Sequence, residues 1–187
     1  MYGRKEEMNH LKELYDSNRF EFLVMYGRRR VGKTTILQEF AENTNSIFFP
    51  AREKNDALNL EDFSKMIQYH FDKNFIASFQ SWEDALNYIG AKVEQRTAVI
   101  IDEFPYIIEE NPSIKSILQH TIDHNWKNKN IFLILCGSSV SIMESDVMGR
   151  KSPLHDRQTS TLEIKPFDYL ESSAFFPEYS NEDKLLA

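Results

Sequence analysis

Residues 27–34 read Gly27-Arg28-Arg29-Arg30-Val31-Gly32-Lys33-Thr34, a full match to the pattern G-x-x-x-x-G-K-[ST]. The glycines let the backbone curl closely around an anion, because they carry no Cβ. Successive N–H groups then face phosphate oxygens, and a following helix adds the positive end of its dipole. The stretch predicts a phosphate-binding loop that extends to Thr35, with Lys33 on the β- and γ-phosphates and the Thr34 hydroxyl on Mg²⁺.

The sequence on either side of this loop is of the required kind. Residues 20–26 are apolar and aromatic, which is typical of a buried strand. Residues 34–41 place Ile36, Leu37 and Phe40 at helical spacing. A strand, a glycine loop and a helix in this order favour the phosphate-binding interpretation over a chance glycine turn.

A second motif follows at Asp102 and Glu103, directly after the apolar run 98–101. Such a run predicts a strand buried on both faces of a parallel sheet, and ligands bind at the carboxyl ends of these strands. We expect Asp102 to hold Mg²⁺ and Glu103 to polarise an attacking water as a general base. The alternative is that the two carboxylates only cap the next segment.

A third predicted strand, residues 130–136, is followed by Ser138 and Ser139. A hydroxyl at this strand end can hydrogen-bond the γ-phosphate or the attacking water, and Ser138 is slightly preferred. The alternative is helix N-capping, which serine favours. Both interpretations stay open, and one serine can do each job.

Composition limits the classes of protein that fit. The 187 residues carry a net charge of −7, one cysteine (Cys136) and 41% hydrophobic residues, typical of a globular domain in a reducing, cytoplasmic setting. No apolar run approaches the ~20 residues of a membrane span. The acidic balance disfavours nucleic-acid binding by this chain itself. The local basic groups, residues 28–30 and 150–157, suit phosphate in the same chain or across a subunit boundary.

Strands and helices alternate along the sequence, which predicts an α/β fold with a parallel sheet between two helical layers. Helices are expected over residues 4–18, 34–43, 56–74, 81 onward, 111–126 and 139–148. Further strands are expected at 46–49, stopped at Pro50, and at 160–164. Residues 104–108 are expected to pack under the sheet, or else to contact another subunit.

Four stretches together resemble the archaeal-type AAA+ ATPases, P-loop NTPases related to signal-transduction ATPases with numerous domains. They are residues 2–8, 26–34, 100–106, and 135–139 with 152–157. Members usually read Pro-Leu-Tyr-Gly-Arg in the last stretch, so His155 and Asp156 depart from the pattern while Arg157 keeps it. The likeness runs from Tyr2 to about Phe176.

The resemblance implies a five-stranded sheet in the order 5-1-4-3-2, with Gly3 and Arg4 near the adenine. It also implies that Arg157 lies where such proteins carry an arginine that contacts nucleotide on a neighbouring subunit, a contact worth ~10³–10⁵ in rate. Arg157 can instead act within its own chain or simply pair with a carboxylate.

The resemblance further divides the chain into a nucleotide-binding core, residues 1–176, and the start of a C-terminal helical lid, residues 177–187. Members continue into lid, winged-helix and often nuclease-like segments. We therefore expect a fragment of a longer protein whose own hydrolysis is weak.

The leading functional interpretation is a core that binds and hydrolyses ATP with Mg²⁺ and couples its nucleotide state to conformational change or assembly, as a homo-oligomer or with further domains. The alternatives are a nucleotide-loaded switch or scaffold that does not hydrolyse, and the ATPase module of a DNA-associated protein. A GTPase is disfavoured, because residues 128–131 lack the aspartate that reads guanine. A small-molecule kinase is disfavoured because Glu103 directly follows Asp102, which favours activation of water.

Overall fold

The computed structural model describes residues 3–72 and 78–167 of the chain. Within them, five parallel strands form one sheet in the order β2-β3-β4-β1-β5. The strands are β1 (Glu21–Tyr26), β2 (Ser46–Pro50), β3 (Thr97–Asp102), β4 (Ile131–Gly137) and β5 (Ser160–Glu163). The predicted strand order, 5-1-4-3-2 from the other side, is confirmed.

Helices cover both faces of the sheet, which confirms the predicted three-layer architecture. They are α1 (Lys5–Asp16), α2 (Lys33–Glu42), α3 (Asp56–Phe71), α4 (Trp82–Lys92), α5 (Pro105–Glu110), α6 (Ile114–Thr121) and α7 (Val140–Ile142). A π-helical turn follows α6 at Ile122–Trp126, another follows α7 at Met143–Val147, and a 3₁₀ turn spans His155–Arg157. The last residues predicted for α3, 73 and 74, lie outside the described residues, as do Tyr2 and the expected lid segment 177–187.

Alternating side chains of the buried strands fill two separate cores. In β1, Phe22 and Val24 face the core formed with α3 to α6, whereas Leu23 and Met25 face the core formed with α1 and α2. The strands β1, β3 and β4 are therefore apolar along nearly their whole length, as expected for parallel strands that are covered on both sides.

The helix α5 was not predicted from the sequence. It begins with Pro105, whose fixed φ and missing N–H suit the first turn of a helix. Phe104, Ile107 and Ile108 are buried in the larger core, which decides between the two interpretations of residues 104–108 in favour of packing. A helix of only six residues is too short to show a helical period in sequence.

Within the described residues, every helix is too short or too polar to cross a lipid bilayer.

Candidate functional site

The phosphate-loop pattern occupies the turn between β1 and α2, and its backbone takes conformations that glycine supports. Gly27 has φ 151°, Gly32 has φ 93°, and Arg30 has φ 66° at the crest of the turn. A Cβ on Gly27 would lie 2.2 Å from the Ile164 carbonyl oxygen, because Ile164, the residue directly after β5, packs against the start of the loop. The loop is thus held tightly at its first glycine and is open at its second, where a Cβ would meet nothing within 4 Å.

Lys33, the first residue of α2, is buried, with 5% of its surface exposed. Its Nζ donates hydrogen bonds of 2.8 Å to the carbonyl oxygens of Gly27 and Arg28. These two bonds hold the ammonium against the inner side of the loop, where a bound anion would meet both the charge and the loop N–H groups.

Thr34 and Asp102, the two predicted Mg²⁺ ligands, come together across the sheet edge. The Thr34 hydroxyl donates a 2.7 Å hydrogen bond to Asp102 Oδ2. Asp102 ends β3, which lies between β2 and β4 in the sheet, and is 2% exposed. Its other oxygen, Oδ1, accepts a 3.1 Å bond from the Glu103 amide. The hydroxyl and the carboxylate are hard oxygen donors, which is the chemistry that Mg²⁺ prefers.

Glu103 is held in an uncommon backbone conformation, with φ 53°. Non-glycine residues in this region carry local strain that often accompanies a functional site. Its Oε2 accepts a 2.9 Å bond from the Ser138 hydroxyl and a 3.1 Å bond from the Ser138 amide. The carboxylate is therefore oriented by the end of β4, which adjoins β3 in the sheet.

Ser138 and Ser139 have different surroundings. Ser138 contacts Glu103 as described, whereas Ser139 precedes α7 and forms no capping bond with its side chain. The carboxylates Asp102 and Glu103 do not cap the next helix either, because α5 follows Phe104 without a side-chain cap. Of the roles left open by the sequence, Ser138 has contacts that suit a role beside Glu103.

A cavity of about 290 Å³ lies beside this group of side chains. Its lining comprises Arg29, Arg30, Gly32, Lys33, Thr34, Thr35 and Glu103. Two loop arginines, the buried lysine, Thr34 and Glu103 thus border one space. This arrangement can bind an anion and can place a carboxylate beside it.

Gly3 and Arg4 lie at the far side of the loop, and Arg4 is only 4% exposed. Its guanidinium donates to the carbonyl oxygens of Val31 (2.9 Å) and Lys165 (2.8 Å) and lies 3.9 Å from the centre of the Phe167 ring. Arg4 therefore ties the phosphate loop to the segment after β5. These contacts define a structural role for its side chain, and the adenine contact stays a prediction.

Arg157 forms a two-pronged ion pair with Asp123, through Nε–Oδ1 at 3.2 Å and Nη2–Oδ2 at 2.8 Å. The Arg157 guanidinium lowers the pKa of the Asp123 carboxyl. The sequence left three roles open for Arg157, and pairing with a carboxylate is the one whose contacts are present. A catalytic role stays a prediction that requires this pair to open.

The sequence matches, over residues 1–186, a family described as an ATPase domain predominantly from Archaea. The chain belongs to this family. An uncharacterised protein of Methanocaldococcus jannaschii is 37% identical over 175 residues, which cover 94% of this chain and 38% of that protein.

Solved structures share the fold of this chain. The ORC2 protein of Aeropyrum pernix, in ADPNP–ADP complexes, superposes with a TM-score of 0.73 at 15% identity, covering 95% of this chain and 51% of that one. The ORC1 protein of the same organism, in complex with DNA, gives a TM-score of 0.65 at 14% identity, covering 100% and 50%. This ATPase domain therefore has the AAA+ fold, and it spans less than two thirds of the length of each of these relatives.

Three residues that contact predicted site residues were not predicted to take part in the site. Tyr106 contacts Arg29, Asp123 contacts Arg157, and Cys136 lies fully buried beside Asp102. Burial and the nearby Asp102 raise the pKa of the Cys136 thiol well above its usual range, which keeps it neutral. Of the three, only the burial of Cys136 could be inferred from the sequence, because it lies in the strand predicted at residues 130–136.

Proposed function

We propose that this chain is an ATP-binding and ATP-hydrolysing AAA+ core that couples its nucleotide state to conformational change or assembly. The observation that carries the proposal is the Glu103 carboxylate, held by Ser138 on the rim of the cavity that the phosphate loop lines. Family membership supports nucleotide binding, and the relative solved in ADPNP–ADP complexes supports the adenine nucleotide.

The residues of the loop would bind and orient the triphosphate. The N–H groups of residues 27–35 would surround the β- and γ-phosphates, and Lys33 would exchange its bonds to loop carbonyls for bonds to phosphate oxygens. Thr34 and Asp102 would hold Mg²⁺, which when bound neutralises charge on the phosphate oxygens. Their hydroxyl and carboxylate fit this ion, since it commonly takes one or two carboxylates together with phosphates and waters.

Glu103 would accept a proton from the water that attacks the γ-phosphate. The two bonds from Ser138 fix the direction of its carboxylate, so that one oxygen is held and the other can face the cavity. Positioning and charge neutralisation would supply most of the rate, because phosphoryl transfer requires little covalent participation by the protein.

The partners of this core are part of the proposal as well. Further domains or other copies of the chain would convert the nucleotide state into movement. The similar ORC1 protein was solved with DNA, but the net charge of −7 argues against DNA binding by this chain itself. A salt-dependent shift of labelled DNA on addition of the chain would overturn that part of the proposal.

The test is ATP binding and phosphate release by the chain and by two variants. We expect Lys33→Ala to lose nucleotide binding. We expect Glu103→Gln to bind ATP as the unaltered chain does but to release phosphate about 10²–10⁴-fold more slowly, the range for a lost general base. Glu110→Gln, at an exposed carboxylate of the following helix, is the matched control and should leave both properties unchanged.

Each outcome separates the proposals. Binding without phosphate release by the unaltered chain, even at high protein concentration, favours the nucleotide-loaded switch. Absence of nucleotide binding contradicts the proposed function altogether. Equal turnover in Glu103→Gln and the unaltered chain contradicts the role of Glu103.

A further inference from the structure

The three arginines between the glycines of the phosphate loop differ in their surroundings. All three are exposed at the surface. Arg29 and Arg30 line the cavity together with Lys33 and Glu103, whereas Arg28 lies outside that lining. Backbone N–H groups account for phosphate binding by the loop, but they assign no role to the side chains of the two arginines that border the cavity.

The Arg29 side chain is connected to the segment that carries Glu103. Its Nη2 donates a 3.2 Å hydrogen bond to the Tyr106 hydroxyl. Tyr106 lies in the first turn of α5, and its amide donates a 3.1 Å bond to the Glu103 carbonyl oxygen. The guanidinium therefore bridges the phosphate loop and the residues directly after β3, the two walls of the cavity.

The Arg29 guanidinium can bond the Tyr106 hydroxyl and still bind an anion. It carries five N–H donors in a planar fork, so a single bond to Tyr106 leaves donors for phosphate oxygens. The tyrosine hydroxyl also limits the rotamers of a long side chain, which reduces the entropy lost when the side chain binds.

The other candidate cation is already paired. Both prongs of the Arg157 guanidinium contact Asp123, away from the lining of the cavity. Negative charge on a transferring phosphate needs a positively charged partner besides the loop lysine in many phosphoryl-transfer sites. Among the residues that line this cavity, the arginines of the loop can supply that charge from the same chain.

We propose that the Arg29 side chain, held by the Tyr106 hydroxyl, binds the terminal phosphate of a nucleoside triphosphate in this cavity and stabilises its charge during hydrolysis. This inference rests on the proposed function, since it assigns the second cation of that site. A ligand without the terminal phosphate would make no such contact, so Arg29 distinguishes ATP from ADP.

The experiment compares the affinities of ADP and of a non-hydrolysable imido analogue of ATP, by calorimetric titration at one Mg²⁺ concentration. Arg29→Gln should weaken the triphosphate about ten- to a hundred-fold, the size of a lost hydrogen bond between charged groups, and should leave ADP affinity unchanged. Tyr106→Phe, which keeps the ring, should show part of the same selective loss. Arg29→Lys should recover part of it, because the charge remains but the planar fork does not.

Substitution of the neighbouring arginines tests whether position matters. Arg28→Gln removes the same charge from the same loop. If it weakens the triphosphate as much as Arg29→Gln does and leaves ADP affinity unchanged, the effect is due to the overall charge of the loop, and the inference is overturned. A loss confined to Arg30→Gln would also overturn it. Equal weakening of ADP and the triphosphate by Arg29→Gln would show that the side chain only shapes the loop.

The result also separates this inference from the proposed function. If the unaltered chain binds neither nucleotide, the proposed function is wrong and the assignment of Arg29 falls with it. If the unaltered chain binds both nucleotides and Arg29→Gln leaves the ratio of their affinities unchanged, only the assignment of Arg29 is wrong.

Discussion

The parallel strands begin at one edge of the sheet, the amino edge, and end at the other, the carboxyl edge. Each of these edges buries a cation against backbone carbonyl oxygens, but the two cations differ in what else surrounds them. At the carboxyl edge, Lys33 bonds the carbonyls of Gly27 and Arg28 and lines a cavity. At the amino edge, Arg96 is 8% exposed and lies about 5.5 Å from the Tyr15 ring.

The contacts of Arg96 connect parts of the chain that are remote in sequence. Its guanidinium donates to the Leu14 carbonyl at 2.6 Å, to the Arg19 carbonyl and to Asn130 Oδ1 at 3.0 Å. The Phe132 ring lies 5.6 Å away. Hydrogen bonds from a buried cation to carbonyl oxygens therefore connect remote segments of the fold at the amino edge. At the carboxyl edge, the same kind of bond holds the Lys33 ammonium beside a cavity that a ligand can enter.

The largest expected effect comes from removing each cation in turn. Arg96→Met should lower the free energy of unfolding by roughly 2–5 kcal/mol, since each buried acceptor left unpaired costs about 1–3 kcal/mol. Lys33→Met should lower stability less, because the two carbonyl oxygens that it leaves unpaired lie beside a cavity that water can enter, and because methionine avoids the desolvation cost of an ammonium. It should also abolish nucleotide binding. Urea unfolding without nucleotide and ATP titration measure the two properties. Similar destabilisation by both substitutions would contradict the contrast between the edges.

The second prediction concerns the glycines that shape the carboxyl edge. Gly27→Ala would place a Cβ 2.2 Å from the backbone oxygen of Ile164, so either the loop or the residue directly after β5 must move. Gly32→Ala meets no atom within 4 Å and carries only the conformational cost of φ 93°, about 1–2 kcal/mol. Thermal unfolding should therefore show a larger loss for Gly27→Ala. Equal losses would mean that the packing of Ile164 on the loop is not a determinant of stability.

The third prediction sharpens the role of Ser138 at the same edge. Ser138→Ala removes the hydroxyl bond to Glu103 and keeps the amide bond, so kcat should fall about ten-fold or less while KM changes little. Ser138→Thr should restore most of the rate, because it retains a hydroxyl. Ser139→Ala is the matched control, since its side chain does not contact Glu103 in the residues that the structure describes. A change in KM with no change in kcat would argue against a positioning role.

The smallest expected effect is at the Arg157–Asp123 pair, which is partly exposed. The hydrogen bond from Arg157 lowers the pKa of Asp123 in the folded chain. Its stabilisation is therefore present above the unfolded pKa of about 3.9 and is lost as pH falls through the lower folded value. We expect Asp123→Asn to lower the free energy of unfolding by about 1 kcal/mol or less at pH 7. The difference in stability between this variant and the unaltered chain should shrink below pH 4, as measured by urea unfolding at several pH values. A difference that grows on acidification would contradict this account.

Much of the fold follows from local patterns. The apolar runs that became β1, β3 and β4 predicted buried parallel strands, and the loop pattern predicted where β1 ends and α2 begins. The order of the strands came from the resemblance to a family. The helix α5 was missed, because an element of six residues leaves little trace in a hydrophobic pattern. The two π-helical turns lie within stretches that were predicted as helices, and only their change of helical period was not predicted.

The sequence by itself determined which side chains can carry the chemistry, since glycine, lysine, threonine and paired carboxylates at fixed spacing have few other common uses. Only the tertiary structure decided which of them meet. Ser138 reaches Glu103, Arg29 reaches Tyr106 and Arg157 reaches Asp123 across 34 to 77 residues of sequence. Such pairings depend on how adjacent strands and their following helices align, and that geometry is set by the packing of two cores on one sheet.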